Sequence, residues 1–220
     1  MSIENSGVAK FALLVVVSAA LIAMADDQAD PVVEYYWDKA CKTFDTHNPA
    51  TENIRYNLTA KTYYKHVGRH GVVVKVDSAE VEYYCSGSEI DSQKIINGDD
   101  SGFRNLDLTF TNVLHLEYNR YSFPNDTGGV DLALGFEPDS GDTNPDGLIV
   151  IDRGRYLPLW LYLYYPDKPG YKRFTRSFRF TEVGGYVFPD SIWEVATRPG
   201  IFSDENYRLE TGIINIEIIR

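Results

Sequence analysis

Residues 129–167 read "GVDLALGFEPDSGDTNPDGLIVIDRGRYLPLWLYLYYPD". Val130, Leu132, Leu134 and Phe136 alternate with Asp131, Ala133, Gly135 and Glu137. Successive side chains of a strand point to opposite faces, so this period of two predicts a half-buried strand. A polar, turn-rich stretch follows, then a second strand at residues 148–152, "LIVID". The third strand, residues 159–165, differs from the first two. Leu159, Leu161 and Leu163 share one face, and Trp160, Tyr162 and Tyr164 share the other. An antiparallel strand with one wet face should carry polar residues there. Two apolar faces mean that both are covered, or that one lines a cavity.

The turn-rich stretch contains a metal-like pattern. Asp142, Asn144, Asp146 and Gly147 fall at calcium-loop positions one, three, five and six, and Ile149 supplies the apolar eighth. The twelfth position, where a bidentate glutamate closes such a site, is Arg153. A cation there repels calcium, and strand patterns rather than helices flank the loop. The expectation is therefore a hairpin tip, with Asn, Pro, Asp and Gly serving the turn, and no metal.

Downstream, residues 173–180 place Phe174, Phe178 and Phe180 on one face and Arg173, Thr175, Ser177 and Arg179 on the other. Gly184-Gly185 turns the chain into a strand at 186–195, and 207–219 is the last strand. Upstream, residues 26–31 form a polar leader. Residues 32–44, "VVEYYWDKACKTF", carry Val33, Tyr36, Trp37, Ala40 and Phe44 at helical spacing, and Asn48-Pro49 ends that helix. Residues 54–60 alternate as a strand. Residues 71–76 and 79–85 are expected to form a hairpin around Asp77-Ser78, and 90–96 is a further strand closed by Asn97-Gly98. Residues 105–118, "NLDLTFTNVLHLEY", fit a helix face through Leu106, Phe110, Val113 and Leu114, and fit a strand through Leu106, Leu108 and Phe110. A helix is favoured, because neighbouring strands leave the sheet little else to cover it. The sum is a long antiparallel meander with one or two short helices, an α+β, mainly-β domain.

The first residues differ from the rest. Lys10 precedes an apolar run of 12 residues, Phe11 to Ile22, and Ala23-Met24-Ala25 follows it. That arrangement predicts a secretory signal peptide over residues 1–25, with an uncleaved anchor as the alternative. Residues 26–220 then form one domain, with no stable membrane span after cleavage. The chain has 220 residues and a net charge of −11, a poor match to nucleic acid or to an anionic lipid surface. In an oxidising compartment Cys41 and Cys85, the only cysteines, suggest one disulfide, with two separate thiols as the alternative.

Residues 129–167 resemble the periplasmic lipoprotein-carrier (LolA/LolB-like, outer-membrane lipoprotein-sorting) superfamily. The features are a strand running into "LGFEP", a strand ending in "ID" (Ile151-Asp152), the turn Tyr156-Leu157-Pro158, and a strand ending in Tyr165-Pro166-Asp167. Residues 178–192, "FRFTEVGGYVFPDSI", are similar to that superfamily's next hairpin, F-x-x-x-E-V-x-G-x-x-F/L-P-x-x-I. Together the matched stretches cover about a third of the chain. They are turn and strand-edge residues, specific for fold and weakly specific for function. The resemblance implies a strongly curved antiparallel sheet, an incomplete half-barrel, with one or two short helices across its concave face. Between them such proteins hold an acyl chain or lipid anchor. On this reading Leu132, Leu134, Phe136, Trp160, Tyr162, Phe174, Phe178 and Trp193 are the candidate cavity residues.

Catalytic signatures are missing from the sequence: there is no H-E-x-x-H, G-x-S-x-G or G-x-x-x-x-G-K. His66 and His70 have metal-like spacing only if helical, and their context predicts a turn. The expectation is a periplasmic or secreted, non-enzymatic protein with no cofactor, binding a lipid or acyl chain, with an envelope protein as the other candidate partner. The alternative is a structural or interaction module of the cell envelope, using the same fold with a filled core.

Overall fold

The computed structural model of the chain describes residues 30–98, 114–122, 129–139, 143–201 and 203–219. Helix α1 is Pro31–His47. The strands are β1 (Arg55–Val67), β2 (Val73–Ser86), β3 (Glu89–Gly98), β4 (Asn119–Ser122), β5 (Asp131–Glu137), β6 (Asp146–Asp152), β7 (Pro158–Tyr165), β8 (Arg173–Val183), β9 (Tyr186–Arg198) and β10 (Glu205–Ile219). All ten join one antiparallel sheet in the order β3-β2-β1-β10-β9-β8-β7-β6-β5-β4. The last strand enters beside the first, so β1 and β10 are neighbours in the middle of the sheet. Strands β3 and β4 are the two edges, and the sheet is not closed into a barrel.

Local chemistry explains α1. The Asp30 side chain accepts a hydrogen bond from the Val32 N–H (2.9 Å), and Pro31 occupies the first turn, where its missing N–H costs nothing. Asn48-Pro49 ends it, with the Asn48 N–H reaching the Asp45 carbonyl (3.4 Å). Val33, Trp37, Ala40 and Phe44 form its buried stripe. Trp37 meets Phe136 edge-on with centroids 5.4 Å apart, and Phe44 meets Phe180 at 6.1 Å. Arg120 of β4 lies over the Trp37 ring and pairs with Glu34.

Ten strands laid flat would span roughly 45 Å, and a helix is about 10 Å across. The one described α-helix, α1, cannot cover such a sheet by itself. Yet buried residues of β1, β2 and β5 to β9 join Val33, Trp37, Ala40 and Phe44 in a single cluster. The sheet therefore curls around the helix, as a half-barrel does. Register shifts leave an extra residue in β2, β3, β7, β9 and β10, bulges that are the usual local cause of such bending.

Two sequence expectations are corrected. Residues 71–76 and 79–85 do not fold back on each other. They are one strand, β2, with Asp77 opposite Tyr64 and Ser78 opposite Tyr63. The turn lies earlier, at 68–72, where His70 and Gly71 have positive φ (66° and 77°) and the Gly68 N–H bonds the Val72 carbonyl at 2.8 Å. Asp77 is tolerated in mid-strand because Lys75 pairs with it at 2.7 Å near the solvent end. Asp146 and Gly147 likewise belong to β6 rather than to a turn. A Cβ on Gly147 would collide with the Tyr162 carbonyl and come within 2.7 Å of the Phe136 ring. This glycine serves close packing, not turning. Asp142 lies outside the described residues, as do 105–113 of the expected helix. Leu114 is described and buried in the core.

Candidate functional site

The helix-side face is built in rows, because paired residues of an antiparallel sheet share a face. One row crosses eight strands: Leu134, Ile149, Leu161, Phe178, Ile192, Thr211, Thr62 and Ala79. Every member is buried. The two threonines satisfy each other, their hydroxyls 3.0 Å apart, so the row buries no unpaired side-chain polar group.

The next row towards the β7–β8 connection contains Phe136, Gly147, Leu163, Arg176, Glu194, Leu209 and Tyr64. Arg176 Nε and Nη2 both reach Glu194 Oε1, at 2.9 and 2.7 Å. The side chains are only 12% and 14% exposed. This ion pair is the polar mark on an otherwise apolar stretch of the face. The row beyond it carries Tyr165, Phe174, Ala196, Tyr207 and His66. Here a second small cluster forms, with Tyr64 stacked on Tyr207 and Tyr171 edge-on to Phe174. Lys168 sits 3.6 Å from the Phe174 ring centroid. Arg198 donates to the Tyr171 hydroxyl at 2.6 Å. Burial works to raise Tyr171, yet its hydrogen bonds with Tyr207 and Arg198 leave it below the ordinary tyrosine range.

Of the eight candidate cavity residues, five share the helix-side face, four of them in the cluster that includes α1 and Phe174 in the second cluster. Leu132, Leu134 and Phe136 lie on β5, and Phe174 and Phe178 on β8, all 6% exposed or less. Trp160, Tyr162 and Trp193 lie on the opposite face, since their neighbours Leu161 and Leu163 point at the helix. There the two indoles stack across β8, centroids 5.5 Å apart, with Arg179 over Trp160. The double apolar character of β7 is thus divided: Leu161 and Leu163 inside, rings half-buried outside, while Leu159 falls at a bulge and is only half-buried, with Pro158 buried in its place. Arg176 went unnoticed in the sequence, although it lies midway between Phe174 and Phe178 in the same parity. Glu194, its partner, lies two residues from Ile192 and Ala196 in the same way.

The other expectations resolve more simply. Cys41 and Cys85 are free thiols, so the expected bridge is not formed. Cys41 directs its sulfur at the Leu114 carbonyl, 3.5 Å away, and Cys85 stands opposite Tyr56 in the β1–β2 ladder. Burial pushes each thiol up to about 11. Among the described residues no group of three His, Cys, Asp or Glu side chains is placed to hold a metal ion. His66 sits at the end of β1, 3.6 Å from Asp77, and His70 lies in the following turn.

No protein-family model matches the chain, and no curated protein matches it. Solved structures do resemble it. One is a domain described as an outer membrane lipoprotein-sorting protein from Vibrio parahaemolyticus, with 10% identity and a TM-score of 0.42 over 84% of this chain and 93% of that one. A DUF1329 family protein from Desulfovibrio piger ATCC 29098 matches with 15% identity and a TM-score of 0.42, over 84% and 92%. The MucA/MucB complex of Pseudomonas aeruginosa matches with 8% identity and a TM-score of 0.24, over 82% and 99%. The first names the same class of protein as the sequence resemblance. At these scores none of them carries an argument about ligand or activity.

Proposed function

We propose that this chain is an exported, non-enzymatic protein that binds a lipid, acyl chain or other apolar group between α1 and the helix-side face of its sheet, in lipoprotein or envelope lipid handling. The observation that carries the reading is the row from Leu134 to Ile192: five successive strands present only hydrocarbon and aromatic side chains. Beyond it stands one ion pair, Arg176–Glu194, which suits the polar end of an amphiphile. An acyl chain would lie along Leu134, Leu161 and Phe178, displacing α1, with its headgroup towards Arg176. Among the described residues no helix is long and apolar enough to cross a membrane, and the face provides solvent-like surroundings for hydrocarbon without one.

A second reading is favoured by a specific observation. Leu134, Phe136 and Phe178 are 0% exposed, as in a filled core. The chain would then be a structural or interaction module of the envelope. The two separate in one experiment: protein purified from its native envelope is analysed by native mass spectrometry and solvent extraction. A stoichiometric co-purifying lipid supports the carrier reading. Bare protein that also fails to bind a fluorescent fatty acid discards it in favour of the filled core.

A further inference from the structure

The connection between β7 and β8, residues 166–172, completes a box of rings at one end of the helix-side face. Tyr165, the last residue of β7, stands opposite Phe174 of β8, and the two rings meet edge-on at 5.4 Å and 70°. Tyr171, from the connection itself, meets Phe174 edge-on at 5.0 Å and 63°. Both tyrosine rings therefore stand steeply to the Phe174 ring. Hydrogen bonds fix the mobile member of the box. The Tyr171 N–H bonds the Lys168 carbonyl (3.1 Å), and the Tyr171 hydroxyl accepts from Arg198 (2.6 Å) and from the Tyr207 hydroxyl (3.3 Å). The next residue is tied to β9 through the Lys172 N–H and the Thr197 carbonyl (2.8 Å).

A cation sits in this box. Lys168 Nζ lies 3.6 Å from the Phe174 centroid, 5.0 Å from that of Tyr165 and 5.7 Å from that of Tyr171. One ammonium shared by several rings is the arrangement by which aromatic cages recognise quaternary ammonium groups. A lysine ammonium is compact and strongly hydrated, so it gives up hydration to sit there. A trimethylammonium group carries the same charge, holds water weakly and packs its methyls on the ring faces. The same rings therefore favour it over lysine. Lys168 is half-buried on the connection, two residues before Gly170 (φ 82°), so its side chain can swing out without breaking the β7–β8 ladder. The surrounding charges add a condition. Arg176, 5.4 Å from the Phe174 centroid, is neutralised by Glu194. Arg198 lies 4.9 Å from the Tyr171 centroid, against the same ring as Lys168. A bare cation is repelled there, whereas a zwitterion can place its anionic group towards Arg198.

We infer that Tyr165, Tyr171 and Phe174 form a site for the quaternary ammonium of a phosphocholine-type zwitterion, with Lys168 as the resident cation that the ligand displaces. The same headgroup chemistry is available free or attached to a lipid. The inference goes beyond the lipid-binding reading and does not rest on it. Phe174 belongs to a different cluster from Leu134, Leu161 and Phe178, so the rings can take a headgroup whether or not the apolar row admits a chain.

The test titrates the full chain calorimetrically with phosphocholine, phosphoethanolamine and lysophosphatidylcholine, the last below its micelle concentration. Phosphocholine should bind at least about tenfold more tightly than phosphoethanolamine, whose primary ammonium gains no more from the rings than Lys168 does. K168A removes the resident cation and should tighten phosphocholine by about three- to tenfold. A lysine that merely fastens the connection would give a loss instead. F174L keeps an apolar side chain but removes a ring, and should weaken phosphocholine by at least about tenfold. Should F174L fail to fold by circular dichroism, K168A decides, because its side chain lies on a connection rather than in the ladder. Lysophosphatidylcholine that binds more tightly than phosphocholine, and still weakens with F174L, makes a lipid headgroup the source; equal affinities make it the free zwitterion. Three results overturn the proposal: no phosphocholine binding by parent and K168A, equal affinity for phosphoethanolamine, or weaker phosphocholine binding by K168A. Fatty acid that binds the parent and F174L alike would leave the apolar-row reading standing while the box fails.

Discussion

Asp146 opens β6 half-buried beside Glu137, and burial, followed by that neighbouring charge, pushes its carboxyl up to about 6. A folded-state value above the ordinary 3.8 means that the native protein holds this proton more tightly than the unfolded chain does. Stability from this group is therefore greatest below pH 4 and falls as pH rises towards 6. D146N should be more stable than the parent at pH 7, by about 1–2 kcal/mol after allowing for solvent screening. The gain should disappear by pH 4 in urea titrations; a gain that is equal at both pH values contradicts the assignment. One residue later, G147A should cost about 1–3 kcal/mol, because the added methyl meets backbone and ring that have no room to yield. G170A, at a glycine with φ of 82° and open space around it, separates the steric cost from a purely conformational one.

Helix α1 is the element on which the curved sheet closes. Removing the Trp37 indole, which touches Tyr118, Phe136 and Arg120, should cost about 3–5 kcal/mol, whereas D30A should cost about 1 kcal/mol through the lost cap. Equal costs, read by denaturant unfolding, would mean that the helix contributes little to the core. This helix was legible in the sequence: of Val33, Tyr36, Trp37, Ala40 and Phe44, which repeat at helical spacing, all but the half-buried Tyr36 are buried. The alternation of Leu132, Leu134 and Phe136, and of Phe174, Phe178 and Phe180, was legible for the same reason, since strand parity is local. Residues 72–76 misled because consecutive exposed valines erase the period, and Asp77-Ser78 then looked like the turn. The site was half legible. Parity separates Leu161 from Trp160, but which set faces the helix depends on what covers the sheet, and that is settled by the pairing of β10 with β1, more than 100 residues away in sequence. The Arg176–Glu194 pair needed register between two strands before its charges cancelled.

At the scale of the molecule, the ten strands of the described residues stay open at two edges, and Cys41 of the helix and Cys85 of the sheet are not bonded to each other. Reducing agent should therefore leave the melting temperature unchanged; a drop of several degrees would show a bridge formed in the native protein. What holds α1 in place is apolar packing, with the Glu34–Arg120 and Asp45–His115 pairs at its margin, and the packing decides between the two functional readings. In a filled core, L161A leaves a cavity and costs about 3–5 kcal/mol, and added fatty acid has nowhere to bind. In a carrier, ligand binds the folded chain alone and stabilises it as RT ln(1 + [L]/Kd), about 2.7 kcal/mol at a hundred times Kd. The carrier reading then expects the melting temperature to climb with fatty acid or lysophospholipid concentration. L161A should leave more room beside Phe178 and shift the preference towards longer chains. A melting temperature flat in ligand, together with the full cavity cost for L161A, would establish that this half-barrel is solid.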